Sequence, residues 1–220
     1  MKAEWWLHMK EYWSIDGAKV KPPLGQACLA FYKYDGSNLR FEWNRKKGWW
    51  LCGTRRRTFD AADPEYGCAV GLFREKYGDG FTKVLRDKYP KITDAIAYCE
   101  FFGPNSFSGQ HDPKHMVIQA EHNEPKDVVL IDVNLHRRGL VDPWEFVKSF
   151  GHLPVASVIY DGPLTEAFVL DVREGRYPVY EGVVCKGGSG HKLWMRKIKT
   201  NAYLAELKKR WGQGWEQYGE

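Results

Sequence analysis

The sequence predicts an α+β fold in which short antiparallel strands come first and helices follow them. Three runs rich in aromatic and apolar residues, 28–34, 38–43 and 48–52, are separated by Asp-Gly and Lys-Lys-Gly turns, a pattern typical of an antiparallel meander. Residues 95–102 and 128–135 form dense apolar runs, which suit central strands that are buried on both faces. Strands are therefore expected in these five segments.

Helical spacing of apolar residues predicts the other main elements. Between residues 69 and 89 apolar side chains recur every three or four positions, and a Gly-Asp-Gly sequence at 78–80 interrupts them, so two helices are expected there. An Asp-Pro pair at residues 142–143 marks another helix start, because proline is favoured in the first turn. Further helices are expected over residues 164–173 and near the end of the chain, where one apolar face is formed by Tyr203, Leu204, Leu207 and Trp211.

Length and composition predict one folded body. A chain of 220 residues is close to the usual size of a domain. Its 43% of hydrophobic residues, with 10 Trp, 12 Tyr and 11 Phe, are enough to build a sizeable core. Because no internal repeat or low-complexity linker marks a boundary, we expect a single domain over residues 1–220, with a monomer as the default state.

The cysteine content and the apolar segments of the sequence indicate the cellular compartment of the protein. The 5 cysteines are odd in number and none forms a CxxC pair, so most are expected to be small core residues rather than zinc ligands. The N-terminus lacks an apolar signal core, and no apolar run of about 20 residues is present. A reducing cytoplasm fits this sequence best, and no membrane contact is expected.

Positive charge is concentrated in three segments. The formal net charge is only +5, but residues 45–47, 55–57 and 191–199 are strongly basic, and tryptophans lie among them at positions 43, 49, 50 and 194. Cationic grooves that follow phosphates, with rings on which bases stack, are typical of single-stranded nucleic acid binding. A solvated basic face explains this pattern equally well when it is taken alone.

Lys33 ends the first strand and opens the sequence Lys-Tyr-Asp-Gly. Taken alone, this Asp-Gly pair is more typical of a hairpin turn than of a catalytic signature. A lysine amine is nucleophilic only when it is deprotonated, and burial or nearby positive charge lowers its pKa. A catalytic Lys33 is therefore expected to have cationic neighbours. Lys197 and Lys199 are candidates because alternate residues of a strand point to one face, although they suit an exposed edge strand guarded by lysines equally well.

Two carboxylates interrupt apolar runs that favour strands. Glu181 and Lys186 stand at the two ends of the run Glu-Gly-Val-Val-Cys-Lys, which a glycine-rich loop joins to residues 192–199 in a predicted hairpin. Their odd spacing places them on opposite faces of a regular strand, and a divalent metal or a phosphate would balance a charge at a buried strand end. Glu100 lies inside the run 95–102, where it either binds a ribose hydroxyl or pairs with an arginine.

In this order, the segments resemble the motif series of the covalent nucleotidyltransferase superfamily, which contains ATP-dependent DNA ligases, RNA ligases and mRNA capping enzymes. The resemblance extends from about residue 30 to residue 200. The nucleophile motif KxDG of the family resembles Lys33-Tyr34-Asp35-Gly36, and an arginine motif of the family resembles Gly53-Thr54-Arg55. The third motif resembles Glu100-Phe101-Phe102-Gly103. The fourth resembles Glu181-Gly182-Val183-Val184-Cys185-Lys186, and the fifth resembles Lys197-Ile198-Lys199.

The resemblance implies a fold and a chemistry. The fold is an ATP-grasp-like ligase adenylation domain with two antiparallel sheets flanked by helices, and the residues after Lys199 are too few for the OB-fold that DNA ligases usually append. Lys33 is implied to attack ATP, with Mg²⁺ or Mn²⁺ present, and to become lysyl-AMP. AMP then passes to a 5′-phosphate, and a 3′-hydroxyl seals the strand and releases AMP.

The resemblance also implies roles for the other residues. Glu181 is expected to direct the metal, Lys197 and Lys199 to hold the nucleotide phosphates, and Lys186 to lie near the nucleotide. Glu100 is expected on the ribose, and Arg55 on the ribose or the incoming phosphate. Asp35, Gly36 and Phe102 complete the expected nucleotide-binding set.

Two short sequences indicate which branch of the superfamily is most similar. Asp-Gly-Ser-Asn after Lys33 and Gly-Pro-Asn-Ser-Phe after Glu100 resemble phage-type RNA ligases, so RNA ends are expected in preference to DNA ends. The sequence departs from the family pattern at two places. Residues 128–133 lack the aromatic residue that often stacks on adenine, and Phe102 is expected to take that role. Residues 30–32 lack the acidic residue that often precedes the nucleophile. A minimal DNA ligase, a capping-type guanylyltransferase and a non-catalytic nucleic-acid-binding module remain alternatives.

Overall fold

The computed structural model describes residues 11–17, 23–103 and 126–212. Ten strands are described, and in chain order they are β1 (Ala27–Lys33), β2 (Ser37–Asn44), β3 (Gly48–Gly53), β4 (Thr58–Phe59), β5 (Asp94–Phe102), β6 (Asp127–Leu135), β7 (Gly139–Leu140), β8 (Val158–Pro163), β9 (Gly182–Gly187) and β10 (Trp194–Lys199). The α-helices of the described residues are α1 (Gly67–Lys88), α2 (Pro143–Phe150), α3 (Glu166–Arg173) and α4 (Asn201–Trp211).

The chain divides into two compact units, each built around one antiparallel sheet. Unit 1 contains the six-stranded sheet of order β4-β3-β2-β5-β6-β7, and unit 2 contains the four-stranded sheet of order β10-β9-β1-β8. The predicted α+β fold with two antiparallel sheets and flanking helices is confirmed, whereas a single domain over residues 1–220 stays a prediction. Unit 1 consists of residues 1–13, 35–141 and 145–155, and unit 2 of residues 14–34, 142–144 and 156–220.

The core of unit 1 lies between its sheet and the long helix α1. Alternation along β2 turns Leu39, Phe41 and Trp43 to one face, and all three are buried. The Phe41 ring stacks on Phe73 of α1 at a centroid distance of 3.8 Å. Trp49 of β3 meets the same ring edge-on at 4.6 Å. Aromatic packing against α1 therefore holds this face of the sheet and leaves the other face for polar groups.

The core of unit 2 lies between its sheet and helix α3. Thr165 caps α3, because its side-chain oxygen accepts a hydrogen bond from the Phe168 amide. Phe168 then stacks on Tyr160 of β8 at 4.0 Å. The strand side chains that face α3 are buried and small or aliphatic: Cys28, Ala30, Val183, Cys185 and Ile198.

The predicted antiparallel meander is correct for β2 and β3 and wrong for β1. Strands β2 and β3 are paired antiparallel, whereas β1 pairs with β8 and β9 in the other sheet. Asp35 and Gly36 therefore carry the chain from one sheet to the next instead of closing a hairpin. A Cβ on Gly36 would lie 2.2 Å from the Phe101 carbonyl oxygen, so only glycine fits this close approach of two backbones.

The two helices predicted between residues 69 and 89 are one continuous helix, α1. Its glycines do not break it because burial of the apolar face outweighs their cost of about 1 kcal/mol each. Tyr77 and Phe81, on either side of the Gly-Asp-Gly sequence, are fully buried. The Gly78 carbonyl also accepts hydrogen bonds from the Trp49 indole at 3.2 Å and the Thr82 hydroxyl at 2.7 Å.

The remaining element predictions hold where they can be compared. Helices α2, α3 and α4 lie in the predicted segments, and β9 and β10 form the predicted hairpin.

Three of the five cysteines are buried, as expected of core residues. Cys28, Cys99 and Cys185 are buried free thiols, Cys52 is half-buried, and Cys68 is exposed. Among the described residues, no helix is long and apolar enough to cross a membrane. The Gly-Pro-Asn-Ser-Phe sequence lies, from residue 104 onward, outside the described residues.

Replacement of Gly78 tests the continuity of α1. A Cβ at Gly78 meets no atom within 4 Å, so Gly78→Ala is expected to stabilise the protein by about 1 kcal/mol through its helix propensity. Gly80→Ala is the matched control, since its Cβ would lie 2.7 Å from Leu153 Cδ2 and the gain is expected to be smaller or lost. Urea unfolding measures both, and a Gly78→Ala variant less stable than wild type would contradict a helical residue 78.

Candidate functional site

The candidate site in unit 2 lies on the face of its sheet that points away from α3. Strand register places Lys33, Gly182 and Lys199 side by side in one row across β1, β9 and β10. Because side chains alternate, the residues of every second row share this face, which we call the lysine face. It carries Lys33, Lys186, Lys197 and Lys199 together with Leu29, Phe31, Val184 and Met195.

A single carboxylate joins two of these lysines. Oε1 of Glu181 lies 2.8 Å from Lys33 Nζ and 3.1 Å from Lys199 Nζ. The side chains of Glu181 and Lys199 are only 3% and 7% exposed, and Lys33 remains 23% exposed. The structure therefore brings together three of the residues identified in the sequence, and it leaves the Lys33 side chain partly exposed.

The charge environment of Lys33 differs in part from the sequence expectation. Positive charge is nearby, as expected, because Lys199 shares the same carboxylate oxygen. The direct partner of the Lys33 amine is nevertheless the Glu181 carboxylate, and an opposite charge at this distance favours the protonated amine. An attack by this amine therefore requires Glu181 to give up its contact with Lys33 first.

Gly182 allows the Glu181 side chain to reach the lysine face. Strict alternation would have turned Glu181 away from Lys186, as the odd spacing predicted, but Gly182 has φ +146°, outside the range of a regular strand. A Cβ at Gly182 would lie 2.0 Å from the Ile198 carbonyl oxygen. The carboxylate contacts Lys33 and Lys199 as a result, so the expectation of opposite faces is wrong.

Lys186 and Lys197 occupy the same face but have different surroundings. Lys186 is buried, and its Nζ lies 4.7 Å from the centroid of the Phe31 ring, a cation–π contact. Lys197 lies opposite Val184, and its backbone amide donates to the Asp16 carbonyl at 3.0 Å. Lys199 is buried against the Tyr203 ring at 5.0 Å. Burial of Lys186 and Lys199 argues against lysines that merely guard an exposed edge.

Two other sequence-identified residues, Glu100 and Phe102, lie in unit 1 on the face of its sheet opposite α1. Register pairs Asn38 of β2 with Glu100 of β5, and Arg40 with Tyr98, which in turn pairs with Asp132 of β6. Glu100 is half-buried. Phe102, two residues further along β5, is half-buried and has the same orientation by alternation. Polar and aromatic side chains thus share this face.

Sequence reasoning missed the buried polar groups next to Glu100. Arg40 donates from Nε to Glu42 at 3.1 Å and from Nη1 to the Thr54 carbonyl. Asp132 is buried and accepts a hydrogen bond from the Tyr12 hydroxyl. The alternation of Arg40 and Glu42 with apolar residues in β2 was the available signal, because charged residues on a central strand indicate a second, polar face.

Burial affects the two tyrosines of this face. Tyr12 packs on Tyr98 with a centroid distance of 5.0 Å. Burial, and then the Asp132 charge, raise the pKa of Tyr12 well above its ordinary value. Burial also raises the pKa of Tyr98. Both hydroxyls therefore keep their protons at neutral pH, and the Tyr12 hydroxyl donates a hydrogen bond to the Asp132 carboxylate.

The arginine motif after β3 separates into distinct environments. Arg55 is exposed, and its Nη2 donates to the Trp13 carbonyl at 3.3 Å. Arg57 pairs with Asp63 and, at 3.0 Å, with Glu65. Because Arg57 already has two carboxylate partners, Arg55 is a better candidate than Arg57 for contact with a ligand. Asp35 and Gly36 begin the second segment of unit 1, immediately after Lys33 and Tyr34 end a segment of unit 2.

The fit of a divalent metal rests on one atom. Among the described residues, no group of three or more His, Cys, Asp or Glu side chains is arranged to hold a metal ion. Oε2 of Glu181, however, is buried and has no hydrogen-bond partner, which is costly for a carboxylate oxygen. Magnesium is commonly held by one or two carboxylates together with substrate phosphates. Glu181 therefore fits a metal that arrives with a nucleotide.

Solved structures of an RNA ligase from Naegleria gruberi have the same fold. A substituted apo form matches with a TM-score of 0.65 at 16% identity, covering 91% of this chain and 58% of that chain. Substituted forms with ATP and Mn and with AMP and Mn each match with a TM-score of 0.61 at 16% identity, covering 90% of this chain and 58% of theirs. No protein-family model matches the sequence, and the search of curated proteins gave no significant match.

The comparison confirms the predicted relationship to RNA ligases at the level of fold. The chain spans less than two thirds of the length of the matched ligase structures. At 16% identity the similarity establishes the fold and leaves the activity and the roles of individual residues to be proposed.

Replacement of Gly182 tests the close backbone contact that this glycine makes between Lys33 and Lys199. Gly182→Ala is expected to lower the free energy of unfolding by about 3 kcal/mol, because the methyl group would meet backbone atoms at a positive φ. Gly175→Ala is the matched control: Gly175 has φ +73° but no atom within 4 Å of its Cβ, so a loss of about 1 kcal/mol is expected. Equal losses in urea unfolding would show that no close contact exists at Gly182.

Proposed function

We propose that this chain is an ATP-dependent polynucleotide ligase, and specifically an RNA ligase, that joins a 5′-phosphate to a 3′-hydroxyl. The observation that carries the proposal is the buried contact of Lys33 and Lys199 with one carboxylate oxygen of Glu181, on a sheet whose fold is shared with an RNA ligase. That ligase has been solved with ATP and Mn, which supports ATP and a divalent metal as the cofactors here.

The proposed first step forms a bond between Lys33 Nζ and the α-phosphorus of ATP. The bond from that phosphorus to the bridging oxygen breaks, pyrophosphate leaves, and the amine loses a proton, so the product is a lysyl-AMP phosphoramide. A 5′-phosphate oxygen then attacks the same phosphorus and the bond to Lys33 Nζ breaks, which regenerates the amine. A 3′-hydroxyl finally attacks the adenylated 5′-phosphate, loses its proton and displaces AMP. Each step is a displacement at phosphorus, for which positioning and charge stabilisation supply most of the catalysis.

The carboxylate that Lys33 and Lys199 share is proposed to control the protonation of the Lys33 amine. Glu181, whose Oε2 has no hydrogen-bond partner, would hold a divalent metal, which would supply positive charge for the phosphates. If Oε1 of Glu181 kept its contact with Lys199, now 3.1 Å long, Lys33 would lie beside positive charge, which would favour the neutral amine. This arrangement avoids leaving a buried lysine without a counter-charge.

The remaining residues are proposed to position the nucleotide. Lys197 and Lys186 lie on the lysine face and are proposed to supply charge for phosphates. For Glu100 and Phe102, which share the polar face of unit 1, the roles on the ribose and the adenine stay predictions from the sequence. Asp35, Gly36 and Arg55 complete the proposed set. RNA rather than DNA ends, a monomer and a cytoplasmic location remain predictions from the sequence.

Replacement of Lys33 tests the proposal directly. With radiolabelled ATP and Mg²⁺ the wild-type protein is expected to form a covalent, acid-labile adduct, and Lys33→Arg is expected to form none, because arginine retains the ion pair with Glu181 but stays protonated. Lys192→Ala, an exposed lysine between β9 and β10, is the control that should label normally. Labelling of Lys33→Arg at the wild-type level would reject the assignment.

Replacement of Glu181 separates its chemical role from packing. Glu181→Gln keeps the side-chain shape and removes the charge, so adduct formation is expected to fall at least about 100-fold through loss of metal and phosphate electrostatics. Lys197→Ala is expected to lower adduct formation as well, because it removes a positive charge that is proposed to hold the nucleotide phosphates. Circular dichroism should show both variants folded. Wild-type labelling rates in either folded variant would remove that residue from the site.

The alternatives make different predictions in the same assay. A guanylyltransferase would label with GTP in preference to ATP, and a minimal DNA ligase would seal nicked DNA better than nicked RNA. A non-catalytic module would bind single strands in a salt-sensitive way without any adduct. Intact mass after incubation with each nucleotide distinguishes the first and last of these in one measurement.

A further inference from the structure

Arg40 and Glu42 form an ion pair on the polar face of the unit 1 sheet. Arg40 Nε donates to Glu42 Oε1 at 3.1 Å, and the two side chains are only 12% and 6% exposed. Both residues belong to β2, which has β3 on one side and β5 on the other. Removing two charges from water is costly, and the attraction between them seldom offsets that cost. Stability alone therefore explains this pair poorly, and its other contacts indicate what it does.

The guanidinium of Arg40 reaches the end of the neighbouring strand β3. Register pairs Arg40 with Gly53, and the three atoms nearest to an added Gly53 Cβ all belong to this guanidinium, with Cζ at 2.7 Å. Nη1 of Arg40 donates a hydrogen bond to the Thr54 carbonyl. Because the guanidinium fork is planar and rigid, the contacts with Glu42 and Gly53 fix the direction of this third contact.

The Thr54 carbonyl is part of the peptide group that carries Arg55. A peptide group is planar, so a fixed Thr54 oxygen also fixes the direction of the Arg55 amide. Thr54 closes the turn between β3 and β4 as well. Its Oγ1 accepts hydrogen bonds from the amides of Arg56 and Arg57, each at 3.1 Å, and its own amide donates to the Arg57 carbonyl at 2.8 Å. Arg40 therefore ties a closed turn to the sheet at the residue before Arg55.

Arg55 is the arginine of this turn that depends most on such an anchor. Arg57 is held separately by Asp63 and, at 3.0 Å, by Glu65. The exposed side chain of Arg55 has a contact of 3.3 Å from Nη2 to the Trp13 carbonyl, which is long for a hydrogen bond. A ligand easily replaces a surface contact of this kind, so the backbone that carries Arg55 sets where its guanidinium reaches.

We propose that Arg40 is a positioning residue that acts through Arg55. Glu42 and Gly53 hold its guanidinium, the guanidinium holds the Thr54 carbonyl, and the turn then presents Arg55 to the ligand that it contacts. This inference rests on the proposed function, in which Arg55 binds the ribose of the nucleotide or the incoming 5′-phosphate. A donor that is already oriented requires no reorganisation when the ligand arrives, which accounts for the burial of a charged pair on a central strand.

A double-mutant cycle tests whether Arg40 acts through Arg55. Two single-turnover rates are measured: formation of the adduct from ATP, and transfer of AMP from the adduct to an RNA with a 5′-phosphate. Arg55→Ala is expected to slow one of these steps at least about tenfold, the loss of one hydrogen bond that involves a charged group. Arg40→Lys keeps the charge beside Glu42 but loses the guanidinium fork, and it is expected to slow the same step.

In the Arg55→Ala background, Arg40→Lys is expected to have no further effect, because the group on which it acts is already absent. Losses that multiply in the double variant would overturn the inference, as would slowing of a different step by Arg40→Lys. A slower adduct step in both single variants supports it with the ribose as the ligand of Arg55, and a slower transfer step supports it with the 5′-phosphate.

Two further variants separate positioning from packing. Gly53→Ala retains every charge and is expected to push the Arg40 guanidinium off the Thr54 carbonyl, so it should slow the same step as Arg40→Lys. Arg45→Lys is the matched control, because Arg45 also donates to two backbone carbonyls, at 2.9 and 3.3 Å, but beside the turn that joins β2 to β3. It should leave both steps unchanged. Equal slowing by Arg45→Lys would attribute the effect to lost stability and reject positioning.

Amide hydrogen exchange measures the turn without reference to catalysis. The Arg56 and Arg57 amides are bonded to Thr54 Oγ1, so their exchange is expected to be faster in Arg40→Lys and in Gly53→Ala, and unchanged in the control. NMR of the isotope-labelled protein gives these rates. Unchanged exchange in both test variants would overturn the inference whether or not the protein is a ligase.

Failure of the ligase proposal and failure of this inference are distinguishable. If the wild-type protein forms no adduct, the ligase proposal falls, and the exchange rates alone decide whether Arg40 orders the turn. If adducts form and Arg40→Lys reacts at wild-type rates in both steps, the inference falls and the ligase proposal stands.

Discussion

The Glu181 carboxylate, shared by Lys33 and Lys199, is the interaction on which the organisation of unit 2 depends. Burying a charged side chain costs several kcal/mol unless it is paired, and here one acid balances two lysines at 2.8 and 3.1 Å. Removal of the acid would leave Lys199, only 7% exposed, without this counter-charge. One carboxylate shared by two lysines leaves an excess of positive charge at this point of the lysine face.

Backbone geometry makes that interaction possible. Lys33 and Lys199 flank Gly182 in one row of the sheet, and a side chain at residue 182 would collide with the backbone of Ile198 and Lys199. Because Gly182 departs from strand geometry, the preceding carboxylate reaches between the two lysines. A glycine next to an acid is therefore a structural requirement of this site as well as part of a sequence motif.

The sheet of unit 1 uses its two faces differently. One face packs Phe41 and Trp49 against α1, and the other carries Arg40, Tyr98, Glu100 and Asp132. The apolar face is not closed completely, because the bulge at Trp50 leaves a groove beside the helix.

The sequence by itself determined the α+β class, the positions of α2, α3, α4 and the β9–β10 hairpin, and the choice of Lys33, Lys186, Lys197 and Lys199 as candidate site residues, because these depend on local periodicity and on motif order. Only the tertiary structure decided that β1 leaves the meander, that α1 continues through Gly78 and Gly80, and that Glu181 faces Lys33. These features depend on long-range strand pairing, on burial of distant side chains and on the conformation of Gly182, and none of them is encoded in the spacing of neighbouring residues.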